Sequence, residues 1–262
     1  MAGADLNDTL QMGSTAVLGP ALRAPPLLLL ATEPLRGLCD LLASALVPRG
    51  RPVGDGHPVM VFPGLGATAF TTRRLRRHLD RSGFEAHDWG LGRNNGPQGP
   101  VDGWLADLVE NVQRLQSSSG RRVSLVGWSL GGVYAREIAK LCPGAVRQVI
   151  TLGTPVGSLA RAHHARLLYR LLNGNKAPLT PELQARLRER PPVPTTAVYS
   201  RNDGVVNWQG CMEKASRRSQ SIEVRASHLG MVAHPDVLRL VVDRLALPED
   251  GWKPLRVKRP TS

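Results

Sequence analysis

The hydrophobic and polar positions of the chain repeat with two alternating periods. Short apolar runs rich in Val, Leu and Ile are typical of buried strands, and longer stretches with apolar residues every three or four positions are typical of helices. The predicted strands span residues 59–62, 84–89, 123–126, 146–152, 196–199 and 222–226, and the predicted helices span 71–82, 102–116, 132–140 and 235–245. Because strands and helices alternate, the sequence predicts an α/β fold with a mostly parallel sheet and helices on both of its faces.

The chain before the first strand has a different pattern. Residues 1–26 are small, polar and proline-containing, which predicts a loosely ordered arm. Leucines then recur at helical spacing over 35–46 and predict an amphipathic helix that packs on the main domain. A position on a membrane surface is the alternative for this helix. We therefore expect an N-terminal arm and helix over 1–50 and one main domain over 51–262.

The alternation stops once, after the fourth predicted strand. Roughly forty residues follow before the next strand, which indicates an insertion at about 156–193. Helical spacing over 158–172 and a helix start at Thr180-Pro181-Glu182, with the helix running to residue 190, predict two helices there. These helices would form a cap, or lid, over the active face. A surface excursion without a catalytic role is the alternative.

The composition fits one domain of this class. The 262 residues are 42% hydrophobic, which is enough for a sizeable core. Cys39, Cys142 and Cys211 lie far apart without a C-x-x-C pair, which argues against a disulfide framework and a zinc site. Residues 1–10 lack the basic region of a secretory signal, and no apolar run is long enough to span a bilayer. We therefore predict a cytoplasmic protein.

The formal net charge of +13 raises the question of an acidic partner. The excess is nearly all arginine spread along the chain, and its densest cluster falls on the predicted helix 71–82 with few aromatic residues among it. We interpret this cluster as a solvated helix face, so nucleic acid is not expected as a partner. Transient contact with a membrane or a lipid interface stays open.

The candidate nucleophile lies in the pentapeptide Gly127-Trp128-Ser129-Leu130-Gly131, a G-x-S-x-G pattern between a predicted strand and a predicted helix. A serine at such a junction sits on a sharp turn, and small residues two positions before and after it let strand and helix approach each other. Gly127 and Gly131 fill these two positions. The turn presents the hydroxyl of Ser129 above the sheet edge, although a glycine-rich turn without chemistry is the alternative.

A serine hydroxyl needs a base, usually a histidine that is oriented by a carboxylate. Asp203 follows the strand 196–199, and His228 directly follows the strand 222–226. The chain order Ser129, Asp203, His228 is that of a catalytic triad on a sheet of this kind, with acid and base at the carboxyl ends of strands. Asp203 is alternatively a turn residue before a glycine. Other candidate bases are His57, His78, His87, His163, His164 and His234.

Acyl transfer also requires hydrogen-bond donors for the oxyanion of the tetrahedral intermediate. The backbone N–H of Leu130, directly after the candidate nucleophile, is one predicted donor. The second is the N–H of Leu65 in the loop Pro63-Gly64-Leu65-Gly66, which follows the first strand. The N–H of Gly66 is the alternative to Leu65.

With these motifs in place, the chain resembles α/β-hydrolases of the bacterial lipase and carboxylesterase kind over about 58–247. The resemblance is carried by P-V-M-V-F-P-G-L-G, V-S-L-V-G-W-S-L-G-G, T-L-G-T-P-V-G-S, R-N-D-G-V-V and S-H-L-G-M. Two positions depart from the family pattern. Pro63 stands where many such lipases have histidine, which concerns the oxyanion donor, and Trp128 stands where many have histidine, which concerns the shape of the pocket.

The resemblance implies a serine esterase or lipase that works through an acyl-enzyme, without a metal or cofactor. A small-molecule or lipid ester is the expected substrate, and lipid metabolism the expected context. A thioesterase and a polyester hydrolase would use the same triad, so they remain alternatives. A non-catalytic relative that binds an acidic partner or a membrane surface is the rival of a different class.

Overall fold

A computed structural model describes residues 24–47, 51–156 and 181–255 of the chain. The predicted arm, except for its last three residues, and the predicted helix at 158–172 lie outside the described residues. The predicted division at residue 50 and the predicted role of the insertion as a cap therefore stay predictions.

The described residues contain a six-stranded sheet in the order β2-β1-β3-β4-β5-β6, in which every neighbouring pair is parallel. This arrangement confirms the predicted parallel α/β fold. The central position of β3 gives the serine pentapeptide a strand on either side. The strands are β1 Pro58–Phe62, β2 Glu85–Asp88, β3 Val123–Trp128, β4 Val146–Leu152, β5 Thr195–Tyr199 and β6 Ser219–Glu223.

Helices connect these strands and also precede and follow the sheet. The α-helices in the described ranges are α1 Leu27–Ala43, α2 Ala69–Arg81, α3 Val101–Ser119, α4 Leu130–Leu141, α5 Pro181–Arg188 and α6 Pro235–Leu245. Short 3₁₀ helices span Ser44–Leu46, Pro143–Ala145 and Trp208–Cys211. No helix in this part of the chain is long and apolar enough to cross a bilayer.

The sheet is covered on both faces because its strands are apolar on both sides. Every residue of β1, β3 and β4 is buried. A hydrophobic core lies on each face of the sheet. Alternate residues of β1 belong to different cores, since successive side chains of a strand point to opposite faces. Met60 and Phe62 pack with residues of α3 and α4, whereas Val59 and Val61 pack with residues of α2 and α6.

The last strand begins earlier than its apolar residues indicate. The alternation at 222–226 predicts the strand there, but β6 pairs with β5 from Thr195↔Ser219 to Tyr199↔Glu223. The cause is its position at the edge of the sheet, where polar residues such as Gln220 and Ser221 can pair while they stay partly exposed. One further bond, from the Val224 N–H to the Tyr199 carbonyl oxygen, extends the contact.

The leucine-rich helix α1 is present, but most of its leucines are exposed. Glu33 in α1 and Ser44 directly after it are buried, whereas Leu35, Leu38 and Leu42 are exposed. The helix contacts the domain through its polar side, because its charged residues bind backbone groups of the loops that follow β5 and β6. The helix therefore contacts the main domain through its polar side, while its leucine face lies outward.

Charged groups also stabilise the end of the sheet where the strands begin, which is opposite to the end that carries the loops after β5 and β6. The Asp55 carboxylate accepts hydrogen bonds from Arg147 in β4 and Arg121, each at 2.8 Å, and contacts the ring of His57. His57 in turn lies 2.8 Å from the Ser124 hydroxyl in β3. Burial alone would raise the pKa of Asp55, but the hydrogen bonds from Arg147 and His57 outweigh it and lower the pKa below its ordinary value.

We expect Asp55→Asn to lower the free energy of unfolding at neutral pH, since it leaves Arg147 without its carboxylate. Solvent screens a carboxylate that is 44% exposed, so the loss is about 1 kcal/mol. Because the folded-state pKa is lowered, the difference from the wild type is present above the ordinary pKa of aspartate and shrinks as the pH falls. Urea unfolding measures it. Asp107→Asn, at an exposed position of α3, is the control, and equal stability of the two variants would contradict the assignment.

Candidate active site

The turn between β3 and α4 holds Ser129 in a strained conformation. Its φ of 53° and ψ of −121° make it the one non-glycine residue with positive φ in the described ranges. A Cβ atom at Gly127 would overlap the backbone of Gly132, and one at Gly131 would overlap the carbonyl oxygen of Phe62. The strand, the turn and the helix therefore approach too closely for any side chain at these two positions.

Residues at the end of β4 and directly after it form hydrogen bonds with this turn. The Ser129 N–H donates to the Leu152 carbonyl oxygen at 2.8 Å, and the Thr154 hydroxyl donates to the Ser129 carbonyl oxygen at 2.9 Å. Gly153 lies between these two partners with a φ of 56°. The backbone of Ser129 is thus bonded on both sides, while the residue stays partly accessible to solvent.

The loops after β5 and β6 bring the predicted acid and base together. The Nδ1 atom of His228 lies 2.7 Å from Oδ2 of Asp203, and both side chains are buried. The other carboxylate oxygen of Asp203, Oδ1, accepts the N–H groups of Val205 at 2.8 Å and Val206 at 2.7 Å. These bonds satisfy the carboxylate and leave Oδ2 to orient the imidazole.

The electrostatic environment makes His228 a stronger base than an ordinary histidine. Burial alone would lower the pKa of His228. The charge of Asp203, its hydrogen bond to the ring and the charge of Glu33 outweigh burial and raise the pKa above its ordinary value. The site therefore stabilises an imidazolium, the form that results when the ring accepts a proton from a nucleophile.

Gly153 and Trp128 connect the serine turn to the acid and base. A Cβ atom at Gly153 would lie 3.2 Å from Nδ1 of His228 and 3.1 Å from Oδ2 of Asp203. The indole N–H of Trp128 donates to the His228 carbonyl oxygen at 3.0 Å, and the two ring centroids are 5.7 Å apart. Trp128, one of the two residues that depart from the lipase pattern, thus binds the loop that carries His228.

The loop after β1 contains the predicted oxyanion donor. The Gly66 N–H donates to the Asn94 carbonyl oxygen at 2.7 Å, so it is already engaged. The Leu65 N–H has no partner among the described residues. Leu130 is the first residue of α4, where an N–H has no acceptor within its own helix. The geometry therefore favours Leu65 over Gly66 as the companion of Leu130.

Two buried residues that support the site have no catalytic signature in the sequence. The first is Asn94, whose side-chain amide donates to the Pro63 carbonyl oxygen at 2.7 Å and so braces the loop that carries Leu65. The sequence shows this asparagine only as part of a loop rich in glycine and asparagine. Its side-chain oxygen accepts bonds from the Gly96 N–H and the Tyr134 hydroxyl.

The second is Glu33 of α1, whose carboxylate binds both the loop that carries Asp203 and the loop that carries His228. Its Oε1 accepts the N–H of Gly204 at 2.7 Å and that of His228 at 3.1 Å, while Oε2 accepts the N–H of Leu229 at 3.1 Å. In the sequence Glu33 only interrupts a run of leucines. The one available signal is the spacing of Glu33, Arg36 and Asp40, which places three charges on one side of a helix.

The other histidines occupy different surroundings. His57 lies at the opposite edge of the sheet, and His234 accepts the Asp236 N–H at the start of α6. His87 lies 2.9 Å from the Glu85 carboxylate on the edge strand β2. His163 and His164 lie outside the described residues. In the described ranges, no three His, Cys, Asp or Glu side chains are grouped to hold a metal ion.

A strand, a strained serine turn, a helix, and an acid–base pair after later strands together define the class of α/β hydrolases. Residues 57–226 match the family model described as serine aminopeptidase, S33, and the chain belongs to this family of hydrolases.

Solved structures of several lipases share the fold. Lipase B of Aspergillus fumigatus aligns with a TM-score of 0.57 and 19% identity, over 78% of this chain but only 56% of that one. The mature lipase BlEst2 of Bacillus licheniformis aligns with a TM-score of 0.55 and 17% identity, over 76% of this chain and 95% of that one. The monoacylglycerol lipase of Paleococcus ferrophilus aligns with a TM-score of 0.53 and 15% identity, over 72% and 93%.

One curated protein matches in sequence. The polyketide synthase ThaQ of Burkholderia thailandensis is 34% identical over 116 residues, which are 43% of this chain and 5% of that protein. The match therefore concerns a small part of a much longer chain.

We expect Glu33→Gln to move the acidic limb of the pH profile of kcat/KM for hydrolysis to lower pH. Protonated His228 cannot act as a base, so activity is lost as the pH falls through its pKa. Removing the negative charge of Glu33 lowers that pKa, and the base then stays neutral at lower pH. Activity at the optimum falls as well, because an amide cannot accept all three backbone bonds.

Asp40→Asn is the matched control for this experiment. Asp40 accepts the Ser227 N–H at 2.9 Å and so holds the same loop, but its charge is not among the causes of the raised pKa of His228. The control loosens the loop and leaves the position of the acidic limb unchanged. An unmoved limb in Glu33→Gln, or an equal shift in both variants, would contradict the role of the Glu33 charge.

Proposed function

We propose that this protein is a serine hydrolase of carboxylic esters whose triad is Ser129, His228 and Asp203. The observation that carries the proposal is the 2.7 Å contact between His228 and Asp203, together with Ser129 on a strained strand-to-helix turn whose preceding residue, Trp128, donates to the His228 carbonyl oxygen. Each of the three residues has a distinct environment that suits its role. The serine is partly accessible to solvent, whereas the imidazole and the carboxylate are buried.

The reaction begins when Oγ of Ser129 attacks the ester carbonyl carbon and its proton passes to Nε2 of His228. Asp203 holds the Nδ1–H and stabilises the imidazolium. The carbonyl oxygen becomes an oxyanion, which accepts hydrogen bonds from the N–H groups of Leu65 and Leu130. The N-terminus of α4 directs its positive dipole end at the same place. When the intermediate collapses, the C–O bond to the alcohol breaks, and the alcohol leaves with the proton from His228.

The second half of the reaction releases the acyl group. Water attacks the acyl-Ser129 ester and gives a proton to His228, and a second oxyanion forms in the same donor pair. Its collapse breaks the bond to Oγ, returns the proton to Ser129 and releases the carboxylic acid. Every proton that is moved stays on Ser129, His228, water or the alcohol, so the cycle needs no further reactant.

Apolar residues near the catalytic loops support a lipid or other apolar ester as the substrate. Leu229 follows the base directly and is 43% exposed, and Leu65 is a half-buried residue of the donor loop. Several of the structural relatives are named lipases, which are enzymes that act on esters, and this agrees with the proposal. Thioesters and polyesters would meet the same triad, and the family description names a serine aminopeptidase, so these bond types belong in the test.

We expect Ser129→Ala to reduce turnover of p-nitrophenyl esters by about three orders of magnitude or more, because the nucleophile is gone. Ser117→Ala, at an exposed position of α3, is the matched control with unchanged activity. Circular dichroism checks that both variants fold. A fluorophosphonate probe should label the wild type on Ser129, as mass spectrometry would show. A folded Ser129→Ala variant with full activity would refute the nucleophile, and a wild type that is neither labelled nor active would support a non-catalytic binder.

A substrate series tests the ester class. We expect hydrolysis of p-nitrophenyl acyl esters of increasing chain length to be faster than that of the matching thioesters and of aminoacyl p-nitroanilides. With an emulsified long-chain ester, the rate should rise above the solubility limit of the substrate. Rates that decline beyond short chains would indicate an esterase of small molecules instead. Preference for the anilides would contradict the ester proposal.

A further inference from the structure

The side of α1 that points away from the domain is entirely apolar. Its leucines are between 39% and 81% exposed. At about 100° per residue, the exposed positions cover roughly half of the helix circumference. The charged residues of α1 all lie on the other half, so this outer face carries no charge. It consists of Leu27, Leu28, Leu30, Ala31, Pro34, Leu35, Leu38, Cys39, Leu41 and Leu42, and Ala45 and Leu46 continue it past the end of α1.

The contacts on the inner side keep this face turned outwards. Glu33 accepts three backbone N–H groups, and Asp40 accepts both the N–H and the hydroxyl of Ser227. A Cβ atom at Gly204 would overlap the backbone of α1, and one at Gly230 would overlap the Asp40 carboxylate. The helix is therefore seated too closely to rotate. Burying the leucines would break bonds of the buried Glu33 and the half-buried Asp40, so the apolar face is a fixed part of the surface.

Positive charge lies beside the outer face. Arg74 of α2 donates to the carbonyl oxygen of Ser44, which places α2 next to the end of α1. On the exposed side of α2, Phe70, Arg73 and Arg77 are spaced at helical intervals, and Phe70 is 76% exposed. The guanidinium of Arg73 lies 5.9 Å from the centre of the Phe70 ring. A basic strip with an aromatic residue thus flanks an uncharged apolar strip.

We propose that the outer face of α1 binds an anionic lipid surface. The leucines enter the acyl-chain region, and the arginines of α2 contact the lipid phosphates, as in helices that lie in the plane of a membrane interface. A patch of this size is rare on a monomeric soluble protein without a partner. A lipid surface fits it better than a second copy of the chain. The apolar face is wider than a helix–helix seam, and two copies would bring their arginines together in a protein with a formal charge of +13.

Lipid binding would also place the candidate active site at the lipid surface. Glu33 and Asp40 bind the loops that carry Asp203 and His228, and the exposed Leu229 lies against Gly37 of α1. This consequence rests on the proposed ester hydrolysis, whereas the binding itself does not. The binding experiment therefore uses the Ser129→Ala background, in which hydrolysis neither produces nor hides a signal.

The experiment measures co-sedimentation of the full chain with vesicles of phosphatidylglycerol and phosphatidylcholine, and with vesicles of phosphatidylcholine alone. We expect binding to the anionic vesicles that weakens as salt is added. The double variant Leu38→Glu/Leu42→Glu should weaken binding by about tenfold or more, because it places charge on the inserted face. The double variant Arg73→Glu/Arg77→Glu should weaken binding to anionic vesicles and reduce its salt dependence.

The matched control is Leu141→Glu/Leu255→Glu. Leu141 is the last residue of α4 and Leu255 binds Gln220 near the start of β6, and the two are 53% and 38% exposed. The variant therefore adds the same charge away from α1 and α2. It should keep most of the binding. Equal losses in both leucine variants, or equal binding to neutral and anionic vesicles, would overturn the proposal. So would a dimer in analytical ultracentrifugation that binds no vesicles and that Leu38→Glu/Leu42→Glu dissociates, since a second copy would then cover the face.

Discussion

The close approach of three backbones around Ser129 is the constraint on which the rest of the site depends. The end of β1, the turn and the first residues of α4 lie so close together that a Cβ atom at Gly127 or Gly131 would overlap the backbone of a neighbouring element. This packing holds Ser129 in a backbone conformation that an isolated peptide would avoid. The surrounding buried strands supply the stabilisation that this strain requires. The strained turn at Ser129 is therefore a result of packing on both faces of the sheet.

Buried carboxylates organise the other half of the site. Asp203 uses one oxygen for backbone N–H groups and the other for His228, so its charge is both satisfied and directed. Glu33 accepts the backbone N–H of the same histidine and that of Gly204, so it binds the loops that follow β5 and β6. A buried negative charge is costly unless it is hydrogen-bonded, and here each carboxylate is bonded mainly to backbone. These hydrogen bonds offset the cost of burial and also fix the loops that carry Asp203 and His228.

The sequence predicts much of this architecture because local patterns determine it. The two hydrophobic periods predict the strands, most helices and the parallel sheet, and the glycine spacing around Ser129 predicts the turn. The role of Glu33 could not be predicted, because its partners lie far along the chain and a glutamate among leucines gives no sign of them. Whether the N–H of Leu65 or that of Gly66 is free depends on Asn94, because its carbonyl oxygen accepts the Gly66 N–H in a tertiary contact between two loops. The start of β6 depends on pairing with β5, which the polarity of Ser219 conceals.

The connection between Glu33 and the catalytic loops also orders the assembly of the site. Glu33 and Gly204 are separated by 171 positions, and Glu33 and Leu229 by 196. Closing such long loops costs more conformational entropy than pairing sequential strands, so local contacts of the sheet form at lower cost than the seat of α1. The first described helix of the chain can dock only where the last two strands and their loops already exist. A chain that has folded its sheet would thus still lack an organised pair of Asp203 and His228 until α1 docks on the two loops that carry them.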